Sequence, residues 1–293
     1  MQPGAVAILP TAPEVARNSD TDYPYRHDSY FYYLSGFTEP DSVLVLVAAK
    51  GEQSAQSILF CRQKNLEREI WEGFRHGPEG ARAQFGFDAA FPIEDLDGEM
   101  ARLLTDAPAA YYALGHSAAL DVQMKTWLGN VRRQARTGVT APTVAHDLLA
   151  MLDEMRVFKD PTEQALMLRA ATISGQAHAR AMRASRPGMY EYEIEAELLH
   201  EFRRSGAQYP AYTPIVAAGA LASRRVISPS SSSIGKAAST PKALRAPSGP
   251  WRKPSQISRS RFFWRQNRIA CAACELVAAT STSTLSGSVN PVR

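Results

Sequence analysis

The apolar positions in the first half of the chain fall into short runs set close together. Val6-Ala7-Ile8-Leu9, bounded by Gly4 and Pro10, reads as a strand, as do Tyr30 to Leu34, Val43 to Val47, Ser57-Ile58-Leu59-Phe60 and Ala110-Tyr111-Tyr112-Ala113. Several of these runs are apolar throughout instead of alternating, which is the pattern of strands buried on both faces of a sheet. Between them the spacing changes to three and four residues, at Leu96, Met100, Leu103 and Leu104 and again across residues 122–131, so helices intervene. The expectation is an α/β N-terminal domain over residues 1–146, a mixed sheet flanked by helices.

From Leu148 onward the pattern is helical. Asp160-Pro161-Thr162-Glu163 is a helix start: Asp160 can accept a backbone N–H, Pro161 suits the first turn, and Glu163 lies at the positive end of the dipole. Leu166, Ala170, Ile173 and Ala177 form one face of that helix. Arg186-Pro187-Gly188 breaks it, and Ile194, Leu198 and Phe202 mark a second helix that Gly206 can end in a left-handed cap. These two helices open a second domain over residues 147–219.

Charge then divides the chain again. Residues 220–293 hold twelve Lys and Arg against the single acid Glu275, a net +11, whereas residues 1–219 hold 21 against 28, a net −7. Every His, Asp and Tyr lies before residue 220, and the C-terminal stretch is dominated by Ser, Ala, Pro and Arg. Three explanations stand side by side: a disordered basic tail, a nucleic-acid-binding arm, or an out-of-frame translation. The longest apolar run, Val43 to Ala49, falls far short of the roughly 18 residues of a membrane helix, and no apolar leader opens the chain. The expectation is therefore no membrane span and no secretion. Three cysteines make no disulfide framework, which points to the reducing cytoplasm.

Three local patterns could carry chemistry. Gly115-His116-Ser117-Ala118-Ala119 sits between a strand and a helix like a nucleophile elbow, but Ala119 stands where close packing wants Gly, so a polar loop is the better reading. Glu193, Glu197 and His200 share one helix face and match half of a carboxylate di-metal arrangement; without the other half they read as a solvated face. Cys271-Ala-Ala-Cys274 lacks the two further ligands of a tetrahedral zinc site.

A fourth pattern is longer. The stretch from Asp22 to Leu46, including Tyr23-Pro24-Tyr25-Arg26-His27-Asp28-Ser29-Tyr30-Phe31-Tyr32-Tyr33-Leu34-Ser35-Gly36-Phe37-Thr38-Glu39-Pro40, resembles the N-terminal domain of the Xaa-Pro aminopeptidases (aminopeptidase P) of the creatinase–prolidase family. Glu69-Ile70-Trp71-x-Gly73, Met155 to Glu163, Arg186 to Tyr192 and Gly206 to Gly219 continue the resemblance in order. It implies a manganese-preferring metallopeptidase that releases an N-terminal residue preceding proline. Two metal ions, held by two Asp, one His and two Glu in an α+β "pita-bread" domain, share the attacking water. It also implies Xaa-Pro peptides as substrates, a homo-oligomer, and pocket-lining roles for two residues here. Trp71 corresponds to a loop aromatic that reaches a neighbouring subunit's pocket in tetrameric bacterial members, and Arg156 to an arginine at the domain junction.

The chain departs from the family after Gly219. None of the five metal ligands can be carried over, so no catalytic or metal residue is assigned and no manganese is expected to bind this chain. The expectation is an inactive chain with a truncated pita-bread domain and a frameshifted or disordered tail. A non-catalytic assembly module and a nucleic-acid binder are the alternatives. The start is short by a helix relative to the family, consistent with an internal Met1. Leu166, Ile173, Ile194, Leu198 and Phe202, deprived of the sheet they would cover, are expected to lie exposed.

Overall fold

The computed structural model describes residues 1–217, which form two compact units, Met1–Arg156 and the residues from Val157. The expected disordered tail, residues 220–293, with Cys271 and Cys274, lies outside the described residues.

In the first unit the order is β1 (Val6–Pro10), β2 (Ala16–Asn18), β3 (Thr21–Asp22), α1 (Ser29–Ser35), β4 (Val43–Val47) and β5 (Gln56–Cys61). There follow α2 (Leu66–Glu72), α3 (Gly77–Phe85), β6 (Ala89–Pro92), α4 (Leu96–Leu103), β7 (Ala109–Tyr112), α5 (Ala118–Arg133), β8 (Val144–Asp147) and α6 (Leu148–Met155). Six strands make one mixed sheet in the order β6-β5-β4-β1-β7-β8, while β2 and β3 form a separate ribbon. β4 is antiparallel to both β1 and β5; β1 with β7, β7 with β8 and β5 with β6 are parallel.

The continuous apolar runs are explained by two cores, one on each face. Val6 and Ile8 of β1 point into a cluster with Val45, Phe60, Met100, Met124 and Trp127, covered by α4 and α5. Ala7 and Leu9, one residue out of phase, point into the other, with Phe31, Phe37, Leu59, Leu148 and Leu152. On α5 the buried residues Leu120, Met124, Trp127 and Val131 recur every three or four positions. Each such side chain removed from water contributes about 1.5–3 kcal/mol.

One sequence reading of this unit is corrected. Residues 30–34, expected as a strand from their aromatic content, lie within helix α1. The Asp28 carboxylate accepts from the backbone N–H groups of Tyr30 and Phe31, both at 2.8 Å, and Gly36 closes the helix at φ +65°. Two good caps outweigh a β propensity that mostly reflects packing. Helix α6 contributes Leu148 and Leu152 to the second core.

In the second unit, α7 (Pro161–Ala184) begins at the predicted cap. Asp160 accepts from the Glu163 N–H at 2.8 Å and Glu163 returns a bond from the Asp160 N–H at 2.8 Å. After the break at 186–188, α8 (Glu191–Arg204) lies along α7. The expected exposure of its apolar face is not found. Ile173, Ile194 and Leu198 are buried, and Leu166 and Phe202 are partly so, because the two helices and the segment around Ala207 and Val216 cover one another. Among the described residues, no helix is long and apolar enough to cross a membrane.

Candidate functional site

The segment between β5 and α3 leaves the body of the first unit and returns to it. Asn65 caps its short helix α2, accepting from the Arg68 N–H at 3.1 Å. None of the seven residues of α2 is buried. Leu66, Ile70, Trp71 and Phe74 are instead exposed, Trp71 to 89%. Trp71 thus stands on a projecting segment with its indole in solvent.

The two roots of this segment meet at Glu39, a carboxylate only 7% exposed. One oxygen accepts from the His76 backbone N–H at 2.7 Å and lies 2.6 Å from His76 Nδ1; the other lies 3.8 Å from the Arg62 guanidinium. Arg62 also faces Glu72 at 3.7 Å, and Glu72 pairs in turn with Arg68 and Arg75. Arg75, foremost through its hydrogen bond, holds the Glu72 carboxyl below its ordinary range. Lys64 bonds the Arg75 carbonyl and Glu69, each at 3.0 Å, and lies over the Phe74 ring. This network went unread in the sequence, since Glu39 and His76 are 37 positions apart and no local pattern links them.

Beside these roots opens a cleft of about 950 Å³ whose walls include Thr11, Glu14, Asp41, Arg62, Arg68 and Glu72. Its charge is mixed. Burial raises the Glu14 carboxyl, with Arg62 opposing and Asp41 adding to the rise. Behind it the Cys61 thiol is fully buried, and burial pushes it up to about 12, which leaves it without thiolate character at neutral pH.

Arg156 lies elsewhere on the same unit, at the C-terminal end of α6. Its guanidinium sits 5.0 Å from the Tyr30 ring centroid and 5.4 Å from that of Tyr33. The Tyr30 hydroxyl donates to Asp153 at 2.7 Å, and burial together with that bond pushes the phenol up to about 12.

The other patterns are spoken for structurally. Ser117 caps α5, accepting from the Leu120 N–H at 3.4 Å, while the Gly115 N–H bonds Asp121. Glu193 closes a capping box on Tyr190, Glu197 bonds Arg180 at 2.5 Å, and His200 is exposed. Among the described residues, no three His, Cys, Asp or Glu side chains are gathered where they could hold a metal ion.

Comparison with known proteins places both units. Residues 1–112 match the family described as aminopeptidase P, N-terminal domain, and residues 165–237 match metallopeptidase family M24. The Xaa-Pro aminopeptidase of Escherichia coli (strain K12) is 42% identical over 219 residues, covering 75% of this chain and 49% of its own length. The chain belongs to the aminopeptidase P family. Its relative from Haemophilus influenzae, also an Xaa-Pro aminopeptidase, is 36% identical over 222 residues, 76% of this chain and 49% of that one. The fold agrees: zinc-substituted E. coli aminopeptidase P in complex with product gives a TM-score of 0.70 over 73% of this chain and 49% of that chain. The same enzyme with the inhibitor Pro-Leu gives 0.70 over 73% and 48%. This aminopeptidase P family chain spans about half the length of the curated relatives it matches. The M24 match opens within α7 and runs past the last described residue.

Proposed function

We propose that the protein is built on the plan of a metal-dependent Xaa-Pro aminopeptidase, working in the cytoplasm on peptides with proline in the second position. The ordered match of both family domains, at 42% identity to a named Xaa-Pro aminopeptidase, supports this reading. Trp71 and Arg156 are its pocket-lining residues: Trp71 presents an open aromatic face to an approaching chain, and Arg156 is held over two tyrosine rings. Two manganese ions would supply a hydroxide nucleophile and polarise the tertiary amide.

The residues present do not fit those metals. The described part gathers no metal-holding group, and residues 220–293 offer Glu275 as their single carboxylate side chain and no His. We therefore propose that this 293-residue polypeptide is not itself a catalyst. The test is the purified 293-residue chain with added Mn²⁺ and a peptide bearing N-terminal Ala-Pro. No free alanine is expected; release that a chelator abolishes would overturn the proposal.

The exposed Leu66, Ile70, Trp71 and Phe74 favour a second reading, an assembly module that self-associates without catalysing. Light scattering across a concentration series separates the two, since a monomer throughout removes the assembly reading.

A further inference from the structure

Helix α2 has a problem of support. It is seven residues long and buries none of them, so neither helix propensity nor apolar packing keeps it in place; isolated helices shorter than roughly 12–15 residues are marginal in water. Its order has to come from its two ends.

Both ends lead to one side chain. Arg62, at the exit of β5, and His76, at the entry of α3, converge on the buried Glu39 carboxylate. The contact to His76 is double, through backbone N–H and ring nitrogen, and that ring is boxed by Phe37, Phe74 and Phe85 at centroid distances of 5.7, 4.9 and 5.2 Å. Glu39 is itself held rigidly: Pro40 follows it, and the Pro40 carbonyl accepts from the buried Ser42 hydroxyl at 3.0 Å. Outside this knot Glu72 of α2 pairs with Arg62 at 3.7 Å and with the buried Arg75, and the other links are the exposed Arg68–Glu72 pair and Lys64, whose contacts stay within the segment. Exposed pairs hold weakly, whereas a charge-assisted bond sheltered from water is strong and costly to leave half-made.

We propose that Glu39 is the positioning residue for Trp71. One buried carboxylate fastens both roots of the projecting segment, so that residues 65–74 open and close as a unit separate from the sheet. The inference concerns where Trp71 is held, and it stands whether or not the chain hydrolyses peptides.

Hydrogen exchange on the full chain reads it directly. Two reporters lie in the segment, the Glu69 N–H bonded to the Asn65 carbonyl and the Gly73 N–H bonded to the Glu69 carbonyl. In Glu39→Gln their exchange is expected to quicken by roughly tenfold or more, while amides of β4 and β5 stay within about twofold of the parent. Asp88→Asn serves as the contrast, because Asp88 accepts from the Ser57 N–H and hydroxyl, both at 2.7 Å, at the opposite end of β5. It is expected to loosen that strand end and leave the reporters unchanged. If Glu39→Gln does not fold, Arg62→Gln, which unfastens one root, is read the same way with a smaller effect. Reporters within twofold of the parent, or an equal acceleration through the whole unit, would overturn the proposal.

Discussion

His27 makes the first unit sensitive to mild acid. It is 3% exposed, stacks on Tyr32 with ring centroids 4.4 Å apart, and stands next to the Arg26 charge. Burial first, then that neighbouring cation, lower its pKa from 6.5 to about 4, with Asp28 opposing. The sign comes from proton counting. Between those two values the unfolded chain carries the proton and the folded chain does not, so stability is complete above pH 6.5 and is lost as pH falls towards 4. At pH 5 the linkage amounts to about 2 kcal/mol, a sizeable part of a typical folding free energy of roughly 5–15 kcal/mol. The assay is urea unfolding, followed by near-ultraviolet circular dichroism, of the parent and His27→Leu at pH 7.5 and pH 5. Leucine is close in volume and cannot titrate. Its packing penalty is common to both pH values, the titration of the other groups is common to both proteins, and both cancel in the double difference. The parent is expected to lose about 2 kcal/mol more than the variant between the two conditions. A double difference below about 0.5 kcal/mol would refute the assignment of this acid sensitivity to His27.

Two further outcomes are expected. Trp127→Phe removes a hydrogen bond of 2.7 Å from the indole N–H to Asp97 and leaves a gap in a site 1% exposed, so the first unit should lose about 1.5–3 kcal/mol, measured as a fall in urea midpoint at unchanged m-value. Asp160→Ala removes the side-chain half of the α7 capping box, the bond from the Glu163 N–H, and should cost about 1 kcal/mol, most of it recovered by Asp160→Asn; faster amide exchange confined to residues 162–165 is the reporter.

What could be read beforehand depended on how local the cause was. β1, β4, β5 and β7 were legible because both faces of each are covered, which writes an unbroken apolar run into the chain. The start of α7 was legible because its cap lies within four residues. β8 was not: it is an edge strand of sequence Val-Ala-His-Asp with mostly exposed residues, and its pairing to β7 leaves no mark of its own. α1 was misread because its aromatic side chains outvoted Asp28 and Gly36, the two residues that decide its ends. Of the site, Trp71 and Arg156 came through family resemblance alone. The buried knot at Glu39 depends on pairing distant positions, and one sequence carries no signal of that.

The sheet order also has a consequence for how the chain reaches its shape. β1 lies between β4 and β7, and its partners Val47 and Ala110 join Val6 at very different delays. The antiparallel neighbour closes within some forty residues, by way of the β2–β3 ribbon and α1, whereas the parallel neighbour must return after more than a hundred. Early in synthesis, then, the half-sheet β5-β4-β1 can zip while one flank of its oldest strand stays open. That flank leaves the backbone N–H and carbonyl of Val6, which face β7, unsatisfied, an open edge on which strands from other nascent chains can settle. The interval before residues 107–113 emerge is therefore the interval in which this edge of β1 lies open.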